Sequence, residues 1–430
     1  MVHYIRILFF LFVVSASSVQ AFLVSVKHAG MAVAGTAYAQ DAESGGINPA
    51  LIPEVGTRLD VGLSIVRSRG RTTISNNIAP ALAGGEPTNG TFFPFHNKKN
   101  FYNPHFGVVK NFCGKCEGLA IGLVAYNKGH VYTKYNQHFP LLGVGNLRSN
   151  LTQEIISPMI AYKPNRYFSV GLGLNIVVQK FYLHGLEKLT LTRPVTFSND
   201  PDDVTNRGSD YSTGVCVSLG AKFNPFDWLS FGVCWQPEVR MKRFEKYEGF
   251  LAQRGKLNHP ETWNFGMMLQ PLDCVHLLFD VQVIRYSQVG SLHHPLEPNF
   301  TLGVFGNPNY KLGGSSGPGF GWGDATIYRV GADYIFNDCL TLRAGWRYGK
   351  TPFKGKNNGF NLATDEVVEQ YVTGGATWKW NSCYEISFYA AYGLPRTQKG
   401  TGAIPRILGG GDIDLHQHQI ACGLSLGRMF

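Results

Sequence analysis

One arrangement recurs six times in this chain: roughly ten residues alternating between apolar and small or polar side chains, a tight turn with Asn, Asp or Pro, then a second alternating run. The turns are "KNFCGKCEG", "YKPNRYFSV", "KFNPFDWLS", "LQPLDCVHL", "IFNDCLTLR" and "KWNSCYEIS". Between the hairpins lie longer polar segments rich in Gly and Pro: 68–100, 128–152, 183–209, 241–260, 290–323, 351–369 and 394–414. Short turns at one end and long loops at the other are the pattern of an outer-membrane β-barrel. Six hairpins supply twelve strands; "RLDVGLSIVR" (58–67) adds a first and "DLHQHQIACGLSLGRMF" (414–430) a last, which makes fourteen. An even count places both ends of the barrel on the short-turn side.

The alternation also assigns faces. In the fifth strand Val170, Leu172, Leu174, Ile176 and Val178 point one way, and Ser169, Gly171, Gly173 and Asn175 the other. The first set suits lipid and the second a lumen. The last strand sends Ile420, Cys422, Leu424, Leu426 and the terminal Phe430 outward. A soluble β-sandwich would alternate too, but it gives no reason for seven long loops to share one side.

Composition agrees with an all-β transmembrane antiparallel barrel. Aromatics make up 13%, there are 51 glycines, and the mean hydropathy is −0.08. No stretch after the N-terminus reaches the ~20 apolar residues of a spanning helix. The first 21 residues read as a secretory signal: Arg6, an apolar run from Ile7 to Val14, then "SASSVQA", with cleavage after Ala21. The expected location is therefore the outer membrane of a Gram-negative cell, as a multi-pass barrel and a monomer. A net charge of +10 spread along the chain argues against nucleic acid and for lipopolysaccharide or an acidic ligand. Eight cysteines in 430 residues are too sparse for a disulfide scaffold. No cofactor or metal is implied.

Residues 22–57 precede the first strand and lack both strand alternation and enough large apolar residues for a core of their own. The run "AGMAVAGTAYAQDAESGGINPAL", with Asn48, Pro49 and Ala50, resembles the hatch of the FadL family, outer-membrane transporters of long-chain fatty acids and other hydrophobic compounds. "SPMIAYKPNRYFSVGLGLNI" (157–176) is similar to that family's fourth and fifth strands, and "IYRVGADYIFNDCLTLRAGWRYGKTPF" (327–353) to its tenth and eleventh. The turns bearing Cys274, Cys339 and Cys383 depart from the pattern, and the long loops show no match. The resemblance implies a hatch that plugs the lumen (22–57) inside a fourteen-stranded barrel (58–430). It also implies a passive route in which ligand lodges in the lumen, the hatch shifts, and the ligand leaves sideways beside a kinked third strand. Gly118 and Gly122 in the third strand and Pro158 in the fourth are the candidates for that lateral gate.

Three further groups are singled out. Phe244, Tyr247, Phe250 and Leu251 recur at helical spacing, with Lys246 among their basic neighbours, as a surface capture site for amphiphiles or a helix facing lipopolysaccharide. In the hairpin "YRVGADYIFNDCLTLRAGWRYG", parity turns Arg329, Asp333, Arg343 and Arg347 to the lumen. Symmetry about Asp338 then sets Asp333 against Arg343 as an ion pair, and Arg329 against Arg347. Two like charges directly opposed call for an anion, either a ligand carboxylate or hatch Asp41 or Glu43. In "GVCVSLGAKFNPFDWLSFGVCW", symmetry about Pro225 sets Cys216 opposite Cys234, a possible disulfide.

Other motifs carry little. "AGWRYGKT" lacks the helix a phosphate loop needs, and "GGSSG" with Ser315 lies in a loop beside His293 and His294 rather than on a nucleophile elbow. His416 and His418 have no third ligand in view, and Cys113 and Cys116 occupy a turn. The chain is thus read as a transporter and not an enzyme. Its rivals are a general porin for polar solutes, a surface adhesin or structural barrel, and a hydrolase dependent on Ser315.

Overall fold

The structure, a computed structural model, describes residues 24–78, 86–94, 100–364 and 366–430. The signal and its cleavage point lie outside them. The strands in chain order are β1 (Arg58–Ser75), β2 (Gly90–Phe92), β3 (Phe101–Asn111), β4 (Leu119–His138), β5 (Asn146–Tyr162), β6 (Phe168–His184), β7 (Asp210–Phe226) and β8 (Leu229–Gln236). They continue with β9 (Thr262–Leu272), β10 (Val275–Ile284), β11 (Ala325–Ile335), β12 (Leu340–Gly349), β13 (Gln370–Lys379), β14 (Tyr384–Gln398) and β15 (Asp412–Met429). Each pairs antiparallel with its neighbour, and β15 pairs with β1 from Arg58↔Met429 to Ser75↔Asp412, which closes the sheet. β2 is only a short addition to the top of β1. The remaining fourteen strands form a closed barrel without edges. Among the described residues no helix is long and apolar enough to cross a membrane.

The pleat separates two surfaces. On β6, Val170, Leu172, Leu174 and Ile176 are exposed, while Ser169, Asn175 and Gln179 between them are buried. The outward apolar band continues through Tyr328, Val330, Trp346, Leu424 and Leu426. All six short turns stand at one end, and Phe430 bonds there to the carbonyl of Thr57.

The opposite end differs from the expectation of polar loops. The segment 128–152 is mostly strand, because β4 runs to His138 and β5 starts at Asn146. The other connections fold together over the barrel mouth around an apolar core that includes Phe139, Phe181, Phe197, Phe244, Tyr247, Phe250, Phe300 and Phe320. Gly and Pro in these loops shape a packed cap.

Residues 24–57 pack against inward faces of the barrel. They form one turn of helix (Val26–Ala29) and two 3-10 turns (Ala42–Gly46 and Pro49–Glu54), capped by Ser25, Asp41 and Asn48. Such short elements cannot stand alone, so the barrel supplies their fixed partners. Asp280 accepts from Gly35 N, Thr36 N and Thr36 Oγ1 at 3.0, 2.9 and 2.6 Å. Glu385 joins Lys27 and Arg58, Arg58 pairs with Asp60 at 2.6 Å, and Asp60 accepts from Ala42 N at 2.8 Å. Glu43 pairs with His105.

Inward glycines make room for this segment. A β-carbon on Gly171 would stand 2.4 Å from Ala50 N, one on Gly220 2.0 Å from Asn48 Oδ1, and one on Gly232 2.2 Å from the Thr36 carbonyl. Asn48 and Pro49 therefore seat against β6 and β7. Asn48 Nδ2 donates to the Thr36 carbonyl at 2.8 Å and the Ala221 carbonyl at 3.2 Å, and Ser169 Oγ donates to the Ala50 carbonyl.

Candidate ligand site in the lumen

Above residues 24–57 and below the loop cap lies a cavity of about 160 Å³. Val24, Val33 and Ile47 form its floor, and Leu257, Tyr286, Leu292 and Trp322 its roof. Its walls come from β4, β5, β9, β10, β11 and β12 and carry Tyr126, Lys128, Gln282, Arg329 and Arg347. A smaller apolar hollow of about 30 Å³ shares Val131, Leu151, Leu257, Leu292 and Trp322 with it and reaches Phe250 in the cap. Engineered apolar cavities of about 150 Å³ bind single aromatic rings, so the larger space suits one ring or part of an alkyl chain.

The register sets Arg329 opposite Arg347 and Asp333 opposite Arg343. Both arginines at the cavity are buried. Arg329 Nη2 donates to Gln282 Oε1 at 2.6 Å while its Nε has no hydrogen-bond partner, and the Arg347 guanidinium lies 5.3 Å from the centre of the Tyr371 ring. Neither Asp41 nor Glu43 neutralises them, because Asp41 bonds Ser25 and Ser44 and Glu43 is engaged by His105. Glu366 approaches Arg347 from the cap. Burial pushes the Glu366 carboxyl up to about 8 against the pull of Arg347. The expected ion pair of Asp333 with Arg343 does not form. Asp333 takes His276 Nδ1 at 2.7 Å and Tyr38 OH at 2.8 Å, and Arg343 turns to Gln40 Oε1 at 2.8 Å and Thr377 Oγ1 at 2.6 Å. Residues 24–57 compete successfully for both groups.

Phe244, Tyr247 and Phe250 are buried in the cap core and do not line a surface groove. They do not share one helix: Glu245–Tyr247 is a single 3-10 turn, and Gln253 and Arg254 have positive φ. Tyr247 OH donates to the Gly208 carbonyl at 2.6 Å, Lys246 Nζ reaches the Ser209 carbonyl at the surface, and only Phe250 touches the smaller hollow.

Cys216 and Cys234 are not opposed. Cys234 pairs with Gly220 and the turn centres near Asp227, four residues along β7 from the expected register, and both thiols are free. Four residues of strand are ~13 Å, beyond disulfide reach. Pro225 continues β7 and does not break it, which is the reason the symmetry reading fails.

Gly118 lies in the turn before β4, at φ +83, and not in the strand. Gly122 pairs with Met159 and Leu123 with Pro158, so the β4–β5 ladder is intact there. The β5–β6 ladder, by contrast, has no pair at Ser157 or Pro158, between Ile156↔Ile176 and Met159↔Gly173. The larger irregularity is on the other side of β4. Its ladder with β3 ends at Phe106↔Ala125, and a bulge follows at Asn127–Gly129. Ala125 and Asn127, outward by parity, are buried, so β4 bends into the lumen at the height of the cavity. Lys128, inward by the same parity, lines the cavity, and a reading of 128–152 as loop misses it because β4 runs on to His138.

His293 and His294 direct Nδ1 to the carbonyls of Trp322 and Gly317, and among the described residues no hydrogen bond joins Ser315 to either ring. His416 and His418 stand opposite Arg71 and Arg69, cations that oppose a metal ion.

A closed fourteen-stranded barrel with chain packed in its lumen, a capped outer mouth and an apolar internal cavity defines a class of outer-membrane transport proteins. The family model for "Outer membrane protein transport protein (OMPP1/FadL/TodX)" matches residues 8–403, and the chain belongs to that family. A Pseudomonas aeruginosa FadL homologue superposes with a TM-score of 0.69 at 16% identity, over 96% of this chain and 100% of that one. The P. putida toluene transporter TodX gives 0.66 at 14% identity over 94% and 97%, and the monoaromatic hydrocarbon channel CymD 0.55 at 15% over 95% and 97%. At such identities these likenesses speak to fold. No curated protein matches the chain.

Proposed function

We propose that the protein carries hydrophobic or amphipathic small molecules with an acidic head, such as long-chain fatty acids, passively across the outer membrane. The carrying observation is the pair Arg329 and Arg347, buried side by side at the wall of an otherwise mostly apolar cavity. A carboxylate there can accept from Arg329 Nε, which has no hydrogen-bond partner, with the Arg347 guanidinium adding a second positive charge beside it, and the apolar lining takes the tail. Residues 24–57 act as the hatch, and the names of two structural neighbours, a toluene transporter and a monoaromatic hydrocarbon channel, support a hydrophobic cargo. Exit is sideways, through the seam between β3 and β4 where pairing stops, because β4 supplies both the seam and a wall of the cavity. Replacing both arginines with Gln should weaken binding of palmitate at least tenfold and of methyl palmitate little. Equal losses for the two would remove the arginines from the head-group site.

A further inference from the structure

The cavity has a second polar wall. In the strand order β4 and β11 are seven strands apart, half-way round a fourteen-stranded barrel, so Lys128 faces the arginine pair across the lumen. Lys128 Nζ donates to Gln236 Oε1 at 2.7 Å, and among the described residues no carboxylate pairs with it. An ammonium has three protons, so capacity to donate remains. Beside it His259, held by the bridge of Val239 with His259 in the loop after β8, is 5% exposed, and neither ring nitrogen has a hydrogen-bond partner. Burial, with Lys128 adding to it, pushes the His259 imidazole well below its usual range, so the ring stays neutral and offers one donor and one acceptor. A buried, unbonded imidazole facing a cavity is costly unless something fills its valences.

We propose that Lys128 and His259 form a second polar subsite, and that the transported molecule is a bipolar amphiphile with an acidic group at one end and a hydroxyl at the other. This rests on the reading of Arg329 and Arg347 as the head-group site. A hydroxyl accepts from Lys128 Nζ and donates to a His259 nitrogen, which uses both groups at once, whereas a methyl terminus leaves them unpaired.

The test uses the full protein in lipid nanodiscs and saturated fatty acids from octanoate to hexadecanoate, each compared with its omega-hydroxy derivative by calorimetry. At the chain length that spans the cavity, the hydroxy acid should bind about tenfold more tightly. In the double variant Lys128→Met, His259→Phe the two members of each pair should bind equally. His259→Gln, which keeps a donor and an acceptor, should retain the preference. Heat-modifiable electrophoretic mobility reports that each barrel is folded. Binding of the plain acids with no hydroxyl preference at any length overturns the second subsite and leaves the parent reading standing. Failure of the wild type to bind any of the acids overturns both.

Discussion

Single side chains decide how the N-terminal segment is held. Asn48 accepts from Ala50 N through Oδ1 to close its own turn, and donates through Nδ2 to the Thr36 carbonyl and to the Ala221 carbonyl of the barrel, so its removal costs three hydrogen bonds, about 1 kcal/mol each. Gly220 beneath it has no space for a side chain. Gly220→Leu should unseat the segment at Asn48–Pro49 while the strand, whose own pairs do not need that glycine, persists. Limited proteolysis should then cut near residues 48–53 at least tenfold faster than in the wild type, with the barrel still heat-modifiable. An unchanged cleavage rate would show that the contact is not needed for docking. The glycine parity was legible in the sequence, but what it accommodates was not: the segment meets strands more than a hundred residues away.

At the scale of elements, β4 is the departure from a regular wall. Its lower half pairs on both sides, and its upper half keeps β5 but loses β3. A cysteine pair replacing Gly122 and Met159 fastens a ladder that is already continuous, so its oxidation should leave uptake unchanged. A pair replacing Pro104 and Asn127, just above Phe106↔Ala125, closes the seam and should abolish uptake with ligand binding intact; reduction should restore it. If uptake survives that second cross-link, the ligand passes through the hatch instead. Gly118, Gly122 and Pro158 pointed to the β4–β5 pair for a sound reason, since glycine and proline weaken ladders, and Pro158 does fall at a gap, in the ladder of β5 with β6. The break is set elsewhere because a bulge and a bend depend on what packs against the strand, which local composition does not encode.

For the molecule as a whole, the chain packed against the inward faces and the cap over the mouth predict electrical silence. In planar bilayers the protein should show no steady open conductance, and deletion of residues 24–53 should produce one; steady conductance of the intact chain would favour the general porin. The strand number, the inward and outward faces, the six turns and the Arg329–Arg347 register could all be read from the sequence, because a period of two and tight turns are local and the membrane imposes one face on every strand. The Cys216–Cys234 pairing failed on a four-residue shift at one hairpin, where Pro225 looked like a turn and was strand. The folded cap, the Asp280 and Glu385 clamps on residues 24–57, and the placing of Lys128 and His259 on one cavity were decided by tertiary structure alone. Each joins residues far apart in the chain whose side chains are ordinary until barrel closure buries them together, and burial is what makes their polar groups select their partners.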